Sequence, residues 1–225
     1  MAPLPAVSSV PSPPRAPRSA EELYASLAFA PGQGPFKIKG TGYVFHDQWV
    51  REHLPGGIEA QNRQLGALRD HSFFRRDFVS AVMYDLFPLV ALGHACAAVR
   101  GETFEQFVEL RARSQAELDL RHIRKFVVKL ASPTMVAARF PSILTGYFDF
   151  GKPHVEVVDR GVKACVEGVP DVLVSWLVAT CKGFAMHALE VNGAKNVRFE
   201  SSTKPRMMRE RGFPMVDLTF HFAWD

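Results

Sequence analysis

The chain has 225 residues, 47% of them apolar and 22% charged, with a formal net charge of +4. A chain of this size and balance belongs to the globular class and buries a core without disulfide staples or a structural metal. The positive excess is spread along the chain, none in residues 1–35, three charges in 36–150 and one in 151–225, which argues against a nucleic-acid partner, because such proteins gather basic residues on one face.

Residues 1–20 hold six of the sixteen prolines. Proline fixes φ and lacks an N–H, so this stretch suits neither a helix interior nor a strand ladder. We expect a disordered Pro-rich tail over residues 1–35, interrupted by a short helix, Ala20–Ala28, that Ser19 and Glu22 open as a capping box. The tail lacks a basic segment followed by an apolar one and does not read as a secretory signal. Cys96, Cys165 and Cys181 stand apart in apolar surroundings, as reduced thiols of a cytoplasmic protein do.

After the break at Pro31–Pro35, Phe36–Phe45 reads as extended, with Gly40 and Gly42 in a turn. The lone glycine pair lacks the third glycine of a phosphate-binding loop. Helices are expected over Asp47–Leu54, Ile58–Leu68, Arg75–Phe87 and Leu89–Val99, the last two split or kinked by Pro88. Thr103 and Gln106 form a second capping box. Phe104, Phe107, Val108 and Leu110 give the helix they open an apolar face, and Leu120, Ile123, Phe126, Val127 and Leu130 repeat at helical spacing. Ser132 and Pro133 start a further helix running to about Tyr147.

The period changes after Gly151. His154–Val158 and Val162–Val166 read as a hairpin. Val172–Val191 is apolar nearly all round and should lie deep in the fold, closed by Asn192-Gly193. The longest apolar stretches are broken by charged residues, histidine or proline, so no membrane span is expected. Val197–Ser201 and Val216–Trp224 are strands, the latter with Leu218, Phe220, Phe222 and Trp224 on one face. The fold class is therefore α+β: a helical region, 46–150, then a four-stranded, mostly antiparallel sheet, 151–225, ordered strand-strand-helix-strand-strand and packed by the buried helix, together one domain over residues 36–225.

The hairpin, the proline-started helix, the run NGAKNVRFES and the terminal strand DLTFHFAWD together resemble an uncharacterised paralogous family of myxobacteria. The likeness would span roughly Phe36 to Asp225 and carries no catalytic motif. The same layout more distantly resembles haem-nitric-oxide-binding and 4-vinyl-reductase-type domains, which implies a small molecule held between helices and sheet. The chain lacks the Tyr-x-Ser-x-Arg motif of the haem sensors and a histidine in the context of their iron ligand. It also lacks the cysteine pair of the vinyl-reductase type.

No nucleophile elbow, His-Glu-x-x-His, P-loop or Cys-x-x-Cys is present, so no catalytic residue and no metal site are assigned. His187 and His94 are the candidates for holding a cofactor, haem among them, although a buried imidazole more often has a structural partner. Trp176, Phe184, Phe220 and Phe222 are the expected walls of an apolar ligand pocket under the buried helix. Two basic groups are candidate anion or partner contacts. One is a helical stripe of Arg121, Lys125 and Lys129, repeating every four residues, with Arg124 beside them; such stripes are usually solvated. The other is Lys204, Arg206, Arg209 and Arg211, in what reads as an exposed, mobile loop between the last two strands.

These features point to a non-enzymatic small-molecule-binding sensor or regulatory module, with a small apolar ligand or a protein partner and with homodimerisation left open. Two alternatives stand beside it: an interaction adaptor using the proline tail and basic loop, and a haem-binding gas sensor.

Overall fold

Ser19 accepts the Glu22 N–H at 3.1 Å and so starts α1, Ala20–Ala25, as a capping residue should. The structure, a computed structural model, describes residues 19–124, 132–158 and 160–225, with the backbone alone for 120–124. Residues 1–18, where most of the expected tail falls, lie outside it. Leu23 of α1 is buried in the core, so the segment from Ser19 onward, grouped with the tail by its prolines, is part of the fold.

A single carboxylate organises the next stretch. Asp85 accepts the N–H groups of Gly32 at 2.9 Å and Gly34 at 2.8 Å through one oxygen, and that of Phe87 at 3.0 Å through the other. Reaching those donors requires an extended backbone at Asp85. Met83–Asp85 is accordingly a short strand, β2, paired antiparallel with β1, Lys37–Lys39. This corrects two expectations. Arg75–Phe87 is not a helix, because tertiary hydrogen bonds outweigh its modest propensity. The extended run from Phe36 is also brief: α2, Thr41–His53, begins just after β1 and takes in Gly42.

The helical layer continues with α3, Gly57–Leu65, then α4, Phe87–Arg100, and α5, Phe104–Arg124. Pro88 sits in the first turn of α4, where its missing N–H has no intrahelical partner to lose; it starts that helix and does not kink a longer one. The second capping box forms in full: Thr103 N–H donates to Gln106 Oε1 at 2.9 Å, and Gln106 N–H donates to Thr103 Oγ1 at 3.2 Å. The stretch after Ser132 is two helices, α6 (Pro133–Ala137) and α7 (Phe140–Tyr147). Pro141 forces the restart, since it cannot donate into a continued ladder.

The second half has the expected order, β3 (Lys152–Val158), β4 (Gly161–Pro170), α8 (Val174–Val191), β5 (Arg198–Glu210) and β6 (Phe213–Ala223), with one 3₁₀ turn, Asp171–Leu173, before α8. The sheet is antiparallel throughout, in spatial order β3-β4-β6-β5. Val162, Ala164 and Val166 stand opposite Phe222, Phe220 and Leu218, and all six are buried. That alternation puts one apolar face of the sheet toward the helices.

Between Val172 and Val191 no residue is exposed. The 21 residues Asp171–Val191 are long and apolar enough to cross a membrane by composition, and half of their most apolar stretch is buried inside the fold. α8 lies against α5, closest at Gly183, where a Cβ would come within 2.2 Å of the Glu109 carbonyl oxygen. Only glycine permits that approach.

The basic stretch near the C-terminus is where the sequence reading needs most correction. Lys204, Arg206 and Arg209 belong to β5, which runs through to Glu210 and returns by a tight turn at Arg211-Gly212. Pro205 and the charges hide a strand whose pairing slips between Pro205 and Arg209, a bulge that absorbs the proline at the sheet edge.

Candidate functional site

α5, α7, α8 and the inner face of the sheet do not close completely on one another. They leave a partly enclosed cavity of about 80 Å³. α8 supplies Trp176, Thr180, Cys181 and Phe184 to its wall, the sheet supplies Ala164, Phe220 and Phe222, and α7 supplies Phe140, Leu144 and Tyr147. The four aromatic residues expected to form a pocket, Trp176, Phe184, Phe220 and Phe222, all line this one space. Phe148 closes it from below Trp176, their rings edge to face at 5.7 Å, a favoured aromatic geometry.

The third helix contributes what the sequence reading missed. Arg111 and Gln115, one turn apart on α5, also line the cavity. Arg111 is 6% exposed and Gln115 7%. The Arg111 guanidinium donates to the Gly42 carbonyl at 3.2 Å and lies 5.8 Å from the centre of the Phe45 ring. It makes no ion pair with any described residue. Burial lowers its pKa to about 10, partly opposed by Cys96, Tyr147 and Tyr43, so it remains a cation at neutral pH. Cys96 is itself held neutral, its thiol pushed up to about 12 by burial, and burial raises both phenols. The groups that sense the Arg111 charge are therefore uncharged. Tyr147 donates its hydroxyl to Asp119 at 2.9 Å, and Gln115 gives its Nε2 to the same carboxylate at 2.9 Å. That leaves Gln115 Oε1, and likewise Thr180 Oγ1 on α8, buried with no hydrogen-bond partner among the described residues.

The other candidates fall elsewhere. His94 is buried on α4 and stacks on Phe104, ring centres 3.9 Å apart. His187 is on α8, and neither histidine lines the cavity. The neighbouring thiol of His94, Cys96, instead belongs to a buried cluster in which Gln61 Nε2 donates to His46 Nε2 at 2.5 Å and lies 3.0 Å from Cys96 Sγ. Burial holds His46 well below the usual imidazole range, with Arg111 adding to the effect.

Three of the basic residues read as loop contacts are tied internally. Arg206 pairs with Asp217 at 3.4 Å. Arg211 donates to Asp149 at 2.8 Å and to the Pro35 carbonyl at 2.7 Å, with its guanidinium 5.2 Å from the centre of the Phe36 ring. Arg209 donates to the Gly212 carbonyl and so fastens its own turn. Lys204 is exposed on β5. Three arginines expected to meet a partner thus brace the hairpin and join it to the N-terminal segment. Lys125 and Lys129 lie outside the described residues, as do the side chains of Arg121 and Arg124. Among the described residues, no three His, Cys, Asp or Glu side chains gather in a group able to hold a metal ion.

No family model matches the sequence, and no curated protein matches it either. Solved structures do share the fold. A Cs H-NOX variant carrying 4-cyano-L-phenylalanine matches over 83% of this chain and 96% of its own, with a TM-score of 0.60 and 9% identity. The Fe(II) unliganded H-NOX protein from K. algicida covers the same shares at a TM-score of 0.56 and 12% identity. An H-NOX protein from S. oneidensis, in its Fe(II)NO ligation state, covers 80% of this chain and 97% of its own, with a TM-score of 0.51 and 17% identity. The chain has an H-NOX-like α+β fold.

Proposed function

We propose that this protein is a non-enzymatic small-molecule-binding module of regulatory type, with its ligand seated in the cavity between α5, α7, α8 and the sheet. One observation carries the reading: aromatic side chains from helices and sheet converge on a partly enclosed space that the core leaves unfilled. Interiors normally pack to crystal density, and a retained apolar cavity with a few inward polar groups is the usual form of a ligand site. At about 80 Å³ the space is smaller than the ~150 Å³ cavity that takes benzene, so a single ring enters by widening its partly open side.

Haem, which the fold likeness brings to mind, does not fit the described residues. No described histidine lines the cavity, and Trp176 and Phe148 occupy ground that a macrocycle several times larger would need. Cys181 and Tyr147 do line it, but burial pushes the Cys181 thiol up to about 12, away from the thiolate a metal needs, and the Tyr147 hydroxyl is committed to Asp119. Protein expressed with added haem should show no Soret band; a band that persists through gel filtration would replace this reading with a haem sensor.

The direct test uses toluene, a neutral single ring. Saturable binding is expected by ligand-observed NMR, together with a rise in melting temperature. Both should be lost in Ala164→Leu, which fills the cavity from the sheet side. No binding of toluene or any other single-ring probe to the folded wild type would refute the proposal.

A further inference from the structure

Three side chains of the cavity wall have hydrogen-bonding capacity left over, and they are of complementary kinds. Arg111 has five N–H donors, uses a donor on the Gly42 carbonyl, and has no acidic partner among the described residues. Among the described residues, Thr180 Oγ1 is buried with no hydrogen-bond partner, and Gln115 Oε1 is a buried acceptor with no donor. The Gln115 amide cannot turn to relieve this, because its nitrogen is held by Asp119. Buried polar groups are nearly always satisfied, and a buried charge ordinarily has a counter-charge. Here a cation and a carbonyl from α5 and a hydroxyl from α8 line one cavity with a set of aromatic rings.

We propose, building on the cavity as a ligand site, that the ligand is a small aromatic carboxylic acid whose carboxylate is held by Arg111 and the Thr180 hydroxyl. The ring lies among Phe140, Phe148, Trp176, Phe184, Phe220 and Phe222. The carboxylate supplies the negative charge that Arg111 lacks. A bound carboxylate has no proton for Gln115 Oε1, so that carbonyl favours acids bearing a ring hydroxyl, which can donate to it. A buried acceptor left unpaired discriminates strongly between a ligand with the missing donor and one without it.

The experiment titrates the full-length protein with toluene, benzoate and the three hydroxybenzoates, by ligand-observed NMR and by isothermal titration calorimetry. Benzoate should bind at least about tenfold tighter than toluene, the worth of a charge-assisted hydrogen bond, and at least one hydroxybenzoate tighter still. In Arg111→Met, toluene should bind as in the wild type while benzoate loses its advantage; Arg111→Lys should keep part of it. If Arg111→Met does not fold, the wild-type order of toluene and benzoate decides. Toluene binding with benzoate no tighter, or benzoate binding unchanged in Arg111→Met, would overturn the carboxylate assignment and leave the small-molecule site standing. Binding of none of these ligands would remove both.

Discussion

Asp85 and Arg111 are both charged and both buried, and the fold provides for them very differently. Asp85, 1% exposed, sits in a cradle of three N–H groups from the N-terminal segment and from the start of α4. Its neighbour Tyr43 also donates its hydroxyl to the Asp85 backbone carbonyl. The bonds to Gly32, Gly34 and Tyr43 join distant parts of the chain, and the bond to Phe87 N–H fixes the start of α4. Arg111 has, among the described residues, one bond of 3.2 Å to a backbone carbonyl and lines unfilled space. Buried charge with saturated partners holds structure together. Buried charge with spare valence costs stability, and the proposed ligand-facing role would account for that cost.

The largest expected effect tests the structural member of the pair. Asp85→Ala strands the N–H groups of Gly32, Gly34 and Phe87 and should destabilise the protein by about 4 kcal/mol, within the range for breaking a buried charged network. Urea unfolding followed by circular dichroism measures it. A loss below about 1 kcal/mol would show that water or a shifted backbone replaces the carboxylate, and the contrast with Arg111 would vanish.

How much of this was legible in the sequence depends on the range of the interaction that decides each feature. Local signals read correctly: Ser19 as an N-cap, the capping box at Thr103, Ser132 as an N-cap, the alternation along β6 and the buried character of α8. Features set by distant partners did not. Nothing near Met83–Asp85 announces that Gly32 and Gly34 will come back to meet Asp85. Lys204–Arg211 looks like a charged loop because its ion-pair partners Asp149 and Asp217 belong to other strands or their approaches. The aromatic cavity wall was readable from α8 and β6 alone. Arg111 and Gln115 had a signal that went unused. Phe104, Phe107 and Val108 begin an apolar stripe that, continued at helical spacing, runs through 111 and 115. Two polar residues in a buried stripe are the sequence mark of a polar site within a core.

A pH dependence sharpens the comparison from the helical half. His94 is 6% exposed, and burial lowers its pKa to about 4, with Glu22 acting weakly the other way. The unfolded chain takes up this proton near pH 6.5, while the folded chain resists it until about pH 4. Between those values the unfolded state holds more protons, so stability falls as pH falls. The His94 contribution is about 3 kcal/mol over that window, and His46, shifted the same way, adds to it. Unfolding free energies measured from pH 7 to pH 4 should decline, and His94→Gln should flatten the decline. An unchanged slope in that variant would place the acid sensitivity elsewhere.

The smallest effect has the opposite sign and bears most directly on function. Arg111→Met keeps the length and much of the volume of the side chain while removing a buried cation that no described carboxylate compensates. Replacing a buried charge by an apolar side chain of similar shape is often neutral or stabilising, and the single long bond to Gly42 is worth little against the desolvation recovered. We expect a gain of about 1–2 kcal/mol in the ligand-free protein, seen as a shift of the urea midpoint at unchanged slope. Destabilisation by more than about 2 kcal/mol would mean that Arg111 is as structural as Asp85. A gain in stability together with lost carboxylate binding would separate the two roles in one residue: a group the fold does better without, kept because something must bind to it.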